Sequence, residues 1–358
     1  MLYEFGNDPA KVDLYKKFWN REPVKRPLVG FSFKSWFPID EFAASRAWKR
    51  DAYLTPDMIN PEDFLEDQEA LLREGEDMDD DILRGASASQ AVFWTNAVLG
   101  CKLKVVPGTV YAASLDLSWE ETEKVRFDRN NPWFKKYIEF TEALVKRSAG
   151  RFPVSHSCLD GPFDYVVSLR GHEQAVIDLV TEPEFAVPLL ERMATFFMEF
   201  TRETWEHIPR YHGGYYDAQY NLWAPSSILR LQEDAVAVLS PALYAQYLRP
   251  ADERITAQFG SAFMHLHCTS MIILDQILDI PTIRCLEVNN DVGGPPVKTL
   301  VPYLQKIQRA GRPLMMRGSF TPDDARLLMD SLDPAGLYLY IMISDKKETD
   351  ALRPILGR

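Results

Sequence analysis

Short apolar runs alternate with longer segments of helical period along most of the chain. After an amphipathic stretch near Asp8–Asn20 comes the run Pro27–Phe33, which reads as a buried strand. Further strands are predicted at Phe152–Ser157, Gly213–Asp217, Ala262–His267, Thr282–Val288, Pro313–Arg317 and Gly336–Ile343. Lys102–Val106 and Thr109–Ala113 flank the turn dipeptide Pro107-Gly108 and predict a hairpin. Helices are expected over Pro132–Ser148, from Thr181 (as N-cap) to about His207, near Met271–Leu278 and over Val297–Ala310. Ser118-Trp-Glu-Glu121 forms a capping box, and Ser240-Pro241 and Thr321-Pro322 place an N-cap before an N1 proline. The acidic run Glu74–Asp81 reads as a solvated face or loop.

Strand–helix units in series mean parallel strands with helical crossovers. No GxGxxG or GxxxxGK[ST] stands at a strand–helix junction, so the phosphate-cradling open sheets lose support. The expected architecture is α/β, a (β/α)8 TIM barrel with an N-terminal helical extension. Residues 1–358 are expected to form one barrel domain, with 1–115 including a helical cap. In such a barrel the chemistry sits at the C-terminal ends of the strands.

That rule singles out His265-Leu-His267. Residues two apart on a strand share a face, so both imidazoles project into the barrel, suited to hold a metal or to divide proton transfers. On the next strand Cys285, Glu287 and Asn289 share a face, making His265, His267, Cys285 and Glu287 the candidate metal group. His267, Glu287 and Asp217 are the candidate catalytic groups. Trp36, His156, Tyr216, Trp223 and Arg317 are expected to meet substrate at the barrel mouth, Arg317 as a clamp for a carboxylate or phosphate.

Lys and Arg number 40 against 52 Asp and Glu, and the resulting net charge of −12 argues against nucleic acid or an anionic membrane as partner. The four cysteines form no CxxC pair and no apolar run is long enough to span a bilayer; a cytoplasmic protein with reduced thiols is expected.

Several segments, taken in order, resemble the uroporphyrinogen decarboxylase superfamily. They are Glu22–Val29; Asp160-Gly-Pro-Phe163 with Leu169-Arg-Gly171 and Thr181-Glu-Pro-Glu184; Gln232-Glu-Asp234 with Leu239–Tyr244 and Pro250; then His265-Leu-His267 and Leu286-Glu287. The resemblance implies the same barrel, in some members a homodimer, and is nearer to the corrinoid-linked methyltransferases than to the decarboxylases. It implies zinc, a small methylated substrate and a corrinoid carried by a partner protein, and, through the family position before the Ser240-Pro241 turn, it adds Asp234 to the residues expected to meet substrate. Two departures matter. His267 stands where the zinc enzymes carry cysteine, and the last strand, Leu337–Ser344, has no cysteine. The stretch Phe31–Pro38 after the first strand holds one lysine and no arginine, a poor match to a polycarboxylate tetrapyrrole. Two other readings stand beside methyl transfer: a metal-independent decarboxylase or lyase, with His267 as proton donor and Arg317 as carboxylate anchor, and a barrel that only binds a ligand.

Overall fold

The computed structural model describes residues 3–33 and 38–358. Twelve strands are present among them: β1 (Leu28–Ser32), β2 (Ala86–Ser87), β3 (Leu103–Val106), β4 (Thr109–Ala112), β5 (Val154–Ser155), β6 (Tyr215–Asp217), β7 (Leu222–Ala224), β8 (Ile228–Leu231), β9 (Ser261–His267), β10 (Cys285–Asn289), β11 (Leu314–Gly318) and β12 (Leu337–Met342). Six make one parallel sheet in the order β1-β12-β11-β10-β9-β8, and β2 and β5 form a second parallel ladder. These eight are the strands of the expected (β/α)8 barrel, and Lys11–Asn20 is its N-terminal helix.

Two readings of the chain are corrected by this topology. Gly213–Asp217 does not supply a barrel strand; β6 turns back on β7 as an antiparallel hairpin lying against β5 and β8. The barrel strand in this region is β8, whose four residues are all buried and carry no alternation to read. Thr181 does not cap a helix either. It ends the helix His172–Thr181, and the next helix starts at Pro183. The caps at Ser118, Ser240 and Thr321 form as expected, each hydroxyl accepting a backbone N–H in the first turn.

The acidic run is the third correction. Asp80 and Asp81 are buried, and their carboxylates accept the backbone N–H groups of Phe31 (3.2 Å) and Val29 (2.9 Å), so they act as a surrogate partner for the edge of β1. Their charge is met by Arg84 on Asp80 (2.6 Å) and by Arg26 and Arg358 on Asp81. Paired and hydrogen-bonded in this way, carboxylates tolerate burial that would otherwise be costly.

Strand alternation sorts the core into two clusters. Outward residues such as Met264, Leu266, Leu286, Val288, Leu339 and Ile341 pack under the helices. Inward residues Phe263, Cys285, Met315 and Tyr338 pack instead with Tyr216, Tyr220 and Trp223 of the hairpin and with Tyr15, Phe18 and Trp19 of the first helix. Trp19 Nε1 donates to the Trp223 carbonyl (2.8 Å), and the Tyr15 hydroxyl reaches the Asn221 carbonyl (2.6 Å). Hairpin and helix together make an apolar floor on which the upper part of the barrel rests. No helix among the described residues is long and apolar enough to cross a membrane.

Candidate metal centre at the barrel mouth

Two residues beyond the floor, the inward positions change character. In the parallel register Phe263 pairs with Cys285, His265 with Glu287 and His267 with Asn289; Asn289 then pairs with Arg317, and Arg317 with Tyr340. Moving up the strands thus replaces phenylalanine and methionine by ionisable and amide groups.

The two imidazoles face one another, with 3.4 Å between their Nε2 atoms. Asp234 completes the group: its Oδ1 lies 3.4 Å from His267 Nε2, and one donor atom from each of the three residues falls within 4.8 Å of the others. Asp234 is held by local geometry. Gly161 lacks a Cβ where one would sit 1.8 Å from the Gln232 carbonyl, which lets the start of the helix Pro162–Arg170 press against the end of β8. Asp164 on that helix then accepts the backbone N–H groups of Asp234 (3.1 Å) and Ala235 (2.9 Å). Gln232 Nε2 donates to Asp234 Oδ2 (3.0 Å).

Each histidine is also gripped at its far nitrogen. His265 Nδ1 lies 2.8 Å from the Tyr220 hydroxyl and is hydrogen-bonded to Glu287 Oε2. His267 Nδ1 donates to Asp291 Oδ1 (2.8 Å). Asp291 is a hub that also accepts from the backbone and thiol of Cys268 (each 3.1 Å) and from Asn289 Nδ2. Carboxylates bonded to Nδ1 direct the Nε2 lone pairs inward, as in the outer coordination spheres of metal sites. Hydrogen bonds to Asp234 and Asp291 raise the His267 pKa to about 10. Burial works against charge at Asp291, but the bond from His267 prevails and holds its carboxyl well below the usual range. The charge these carboxylates stabilise on the imidazole is of the sign a metal cation would bring.

The donor set is two imidazoles and a carboxylate, which suits zinc or another borderline divalent cation and leaves coordination positions open. Asp234 enters this set from the substrate-binding expectation. Its place beside the histidines depends on β8, the strand the sequence did not reveal. Glu287 is fully buried and serves His265 without joining the donor group. Cys285 does not join it. It sits one layer down in the floor, where burial and the nearby Glu287 push its thiol well above the ordinary value and disfavour the thiolate a metal needs.

The other expected residues are dispersed. Tyr216 and Trp223 belong to the floor, not the mouth; their polar atoms bond the Leu83 carbonyl (2.7 Å) and the Tyr211 carbonyl (2.8 Å). Asp217 is buried in the hairpin turn and accepts the Tyr220 N–H (3.0 Å). His156 packs against Trp205 and its Nδ1 donates to the Ser157 carbonyl (2.8 Å); burial lowers its pKa. Arg317 does reach the mouth, where its Nη1 donates to Asn289 Oδ1 (2.9 Å) and its side chain lines a cavity; burial lowers its pKa to about 10, so it stays charged at neutral pH. Trp36 lies outside the described residues.

No family model matches the chain, and no curated protein matches it in sequence. Its fold is another matter. Among solved structures it is similar to a methyltransferase from Methanosarcina mazei, with a TM-score of 0.63 over 96% of this chain and 98% of that one. At 13% identity the likeness is one of fold.

Proposed function

We propose that the protein is a methyltransferase of the uroporphyrinogen decarboxylase-like kind, which moves a methyl group from a small methylated substrate to a corrinoid carried by a partner protein. The observation that carries this reading is the pair of inward Nε2 atoms 3.4 Å apart beside Asp234, at the open end of a barrel similar in fold to a methyltransferase. Asp234, His265 and His267 hold a divalent metal, taken here as zinc. When bound, such a metal acts as a Lewis acid toward an oxygen or nitrogen of the substrate. Glu287 and Tyr220 fix the His265 ring, and Asp291 fixes His267. The replacement of thiolate donors by nitrogen and oxygen makes the centre harder, and less suited to activating a thiol. The test is incubation of the zinc-loaded protein with a reduced corrinoid protein and a panel of methyl ethers and methylamines. Cobalt methylation with at least one substrate, lost in His267→Ala, is expected; none with any substrate would overturn the reading.

The protonation of His267 favours a second reading, a metal-independent carboxy-lyase. An imidazolium held between two carboxylates is a proton donor, and Arg317 is a charged anchor for a carboxylate. Metal content of the purified protein separates the two: near-stoichiometric zinc supports the first, and activity on a carboxylic acid with no metal supports the second.

A further inference from the structure

The three donors at the mouth approach from one side of the bore. Asp234 follows the end of β8, and His265 and His267 stand on its neighbour β9. The two Nε2 atoms are 3.4 Å apart, and Asp234 Oδ1 is 3.4 Å from His267 Nε2. At bonds of about 2.1 Å to a common ion, such separations subtend roughly 110°, so both pairs are cis. A fourth protein donor, even one trans to a member of the group, would lie only about 4.2 Å from it. No other histidine, cysteine, aspartate or glutamate among the described residues joins the group within 4.8 Å. The nearby thiols do not alter this: Cys285 lies in the floor, and Cys268 donates to Asp291 (3.1 Å). The hemisphere that faces the rest of the bore is therefore left to exogenous ligands. His265 is buried, but the His267 and Asp234 side chains are 35% and 47% exposed, so the group is reached from the mouth.

Two imidazoles and one carboxylate on one face, with the other positions free of protein, form the donor set of mononuclear non-haem iron(II) centres, whereas thiolates favour zinc. We infer that this centre holds iron(II) in six-coordinate form as well as zinc in four-coordinate form. With iron it offers three mutually cis positions, room for a neutral diatomic ligand together with water or a substrate oxygen. The inference rests on the metal group of the proposed methyl transfer, but not on that reaction. With the same donors zinc binds more tightly than iron(II), so the ion carried follows supply.

The test uses the full chain, stripped of metal by a chelator, titrated anaerobically with ferrous ion or zinc and then exposed to nitric oxide. About one iron(II) per chain should bind and be displaced by an equivalent of zinc. Before displacement, nitric oxide should give the quartet-spin electron paramagnetic resonance signal of an iron–nitrosyl. His267→Ala should abolish uptake of both ions. Asp234→Cys, at a half-exposed position, should retain zinc but bind iron(II) about tenfold or more weakly, since a thiolate is the softer donor. Retained zinc shows that this variant is folded. Iron(II) that fails to bind where zinc does, bound iron without a nitrosyl signal, or unchanged iron affinity in Asp234→Cys would each overturn the inference and leave the zinc centre standing. Failure of both ions to bind would overturn the metal centre itself. A nitrosyl signal without cobalt methylation would sink the methyl-transfer reading alone.

Discussion

Phe263 and His267 stand on one strand, four residues apart and facing the same way, yet they belong to different regimes. Around Phe263 the barrel is dry: Cys285, Met315 and Tyr338 meet the hairpin and the first helix with full burial. Around His267 it is charged and partly open to solvent, with Asp234 and Asp291 on either side and the ring a third exposed. The difference shows that the strands themselves do not decide where polar and ionisable groups gather. What separates the two levels is how far up the bore the plug of Tyr216, Tyr220 and Trp223 reaches, since the inward residues above it are ionisable or amide groups.

Substitution can break that contrast from either side. His267→Ala should have the largest effect on the mouth: zinc measured by elemental analysis falls from about one per chain to below about a tenth, because one of three ligands and its outer carboxylate link are lost. Its melting temperature should stay close to that of the parent. Phe263→Ala should do the reverse. Removal of a fully buried ring is expected to cost about 3–5 kcal/mol in denaturant unfolding while zinc content is retained. If Phe263→Ala lost zinc at unchanged stability, floor and mouth would not be separate.

Asp291→Asn is a milder probe, since it keeps a hydrogen-bonding group on His267 but removes the charge. Zinc affinity should fall about 10- to 100-fold in competition with a chelator. Behind the mouth, Asp252 offers a test by pH. Burial raises its pKa to about 7 against the pull of the Tyr244 hydroxyl. The folded chain therefore keeps a proton that the unfolded chain releases near pH 4, so the stabilising contribution is full below that pH and declines as pH rises to about 7. The melting temperature should drop by a few degrees across this window, and Asp252→Asn should flatten the slope. Cys285→Ser should have the smallest effect, leaving zinc content unchanged; zinc loss there would move the metal down into the floor.

The contrast also explains what the sequence disclosed. Strands β9 to β12 are long enough for alternation to be read, so the shared faces of His265 with His267 and of Cys285 with Glu287 were legible. Depth along the barrel was not, because it is set by the hairpin, whose Tyr215–Asp217 arm looks like one more strand. That is why Cys285, Tyr216, Trp223 and Asp217 were expected at the mouth and lie beneath it. β8 is four residues with every position buried, and without it Asp234 could not be placed beside the histidines. Asp80 and Asp81 read as solvated because their partners, the β1 amides and Arg26, Arg84 and Arg358, come from distant parts of the chain.

The most direct measurement is X-ray absorption at the zinc edge on the metal-loaded protein. Two imidazole nitrogens at about 2.0 Å, oxygen from a carboxylate and no sulfur are the predicted coordination. A sulfur scatterer at about 2.3 Å, or a protein that takes up no zinc at all, would contradict a metal centre built from Asp234, His265 and His267.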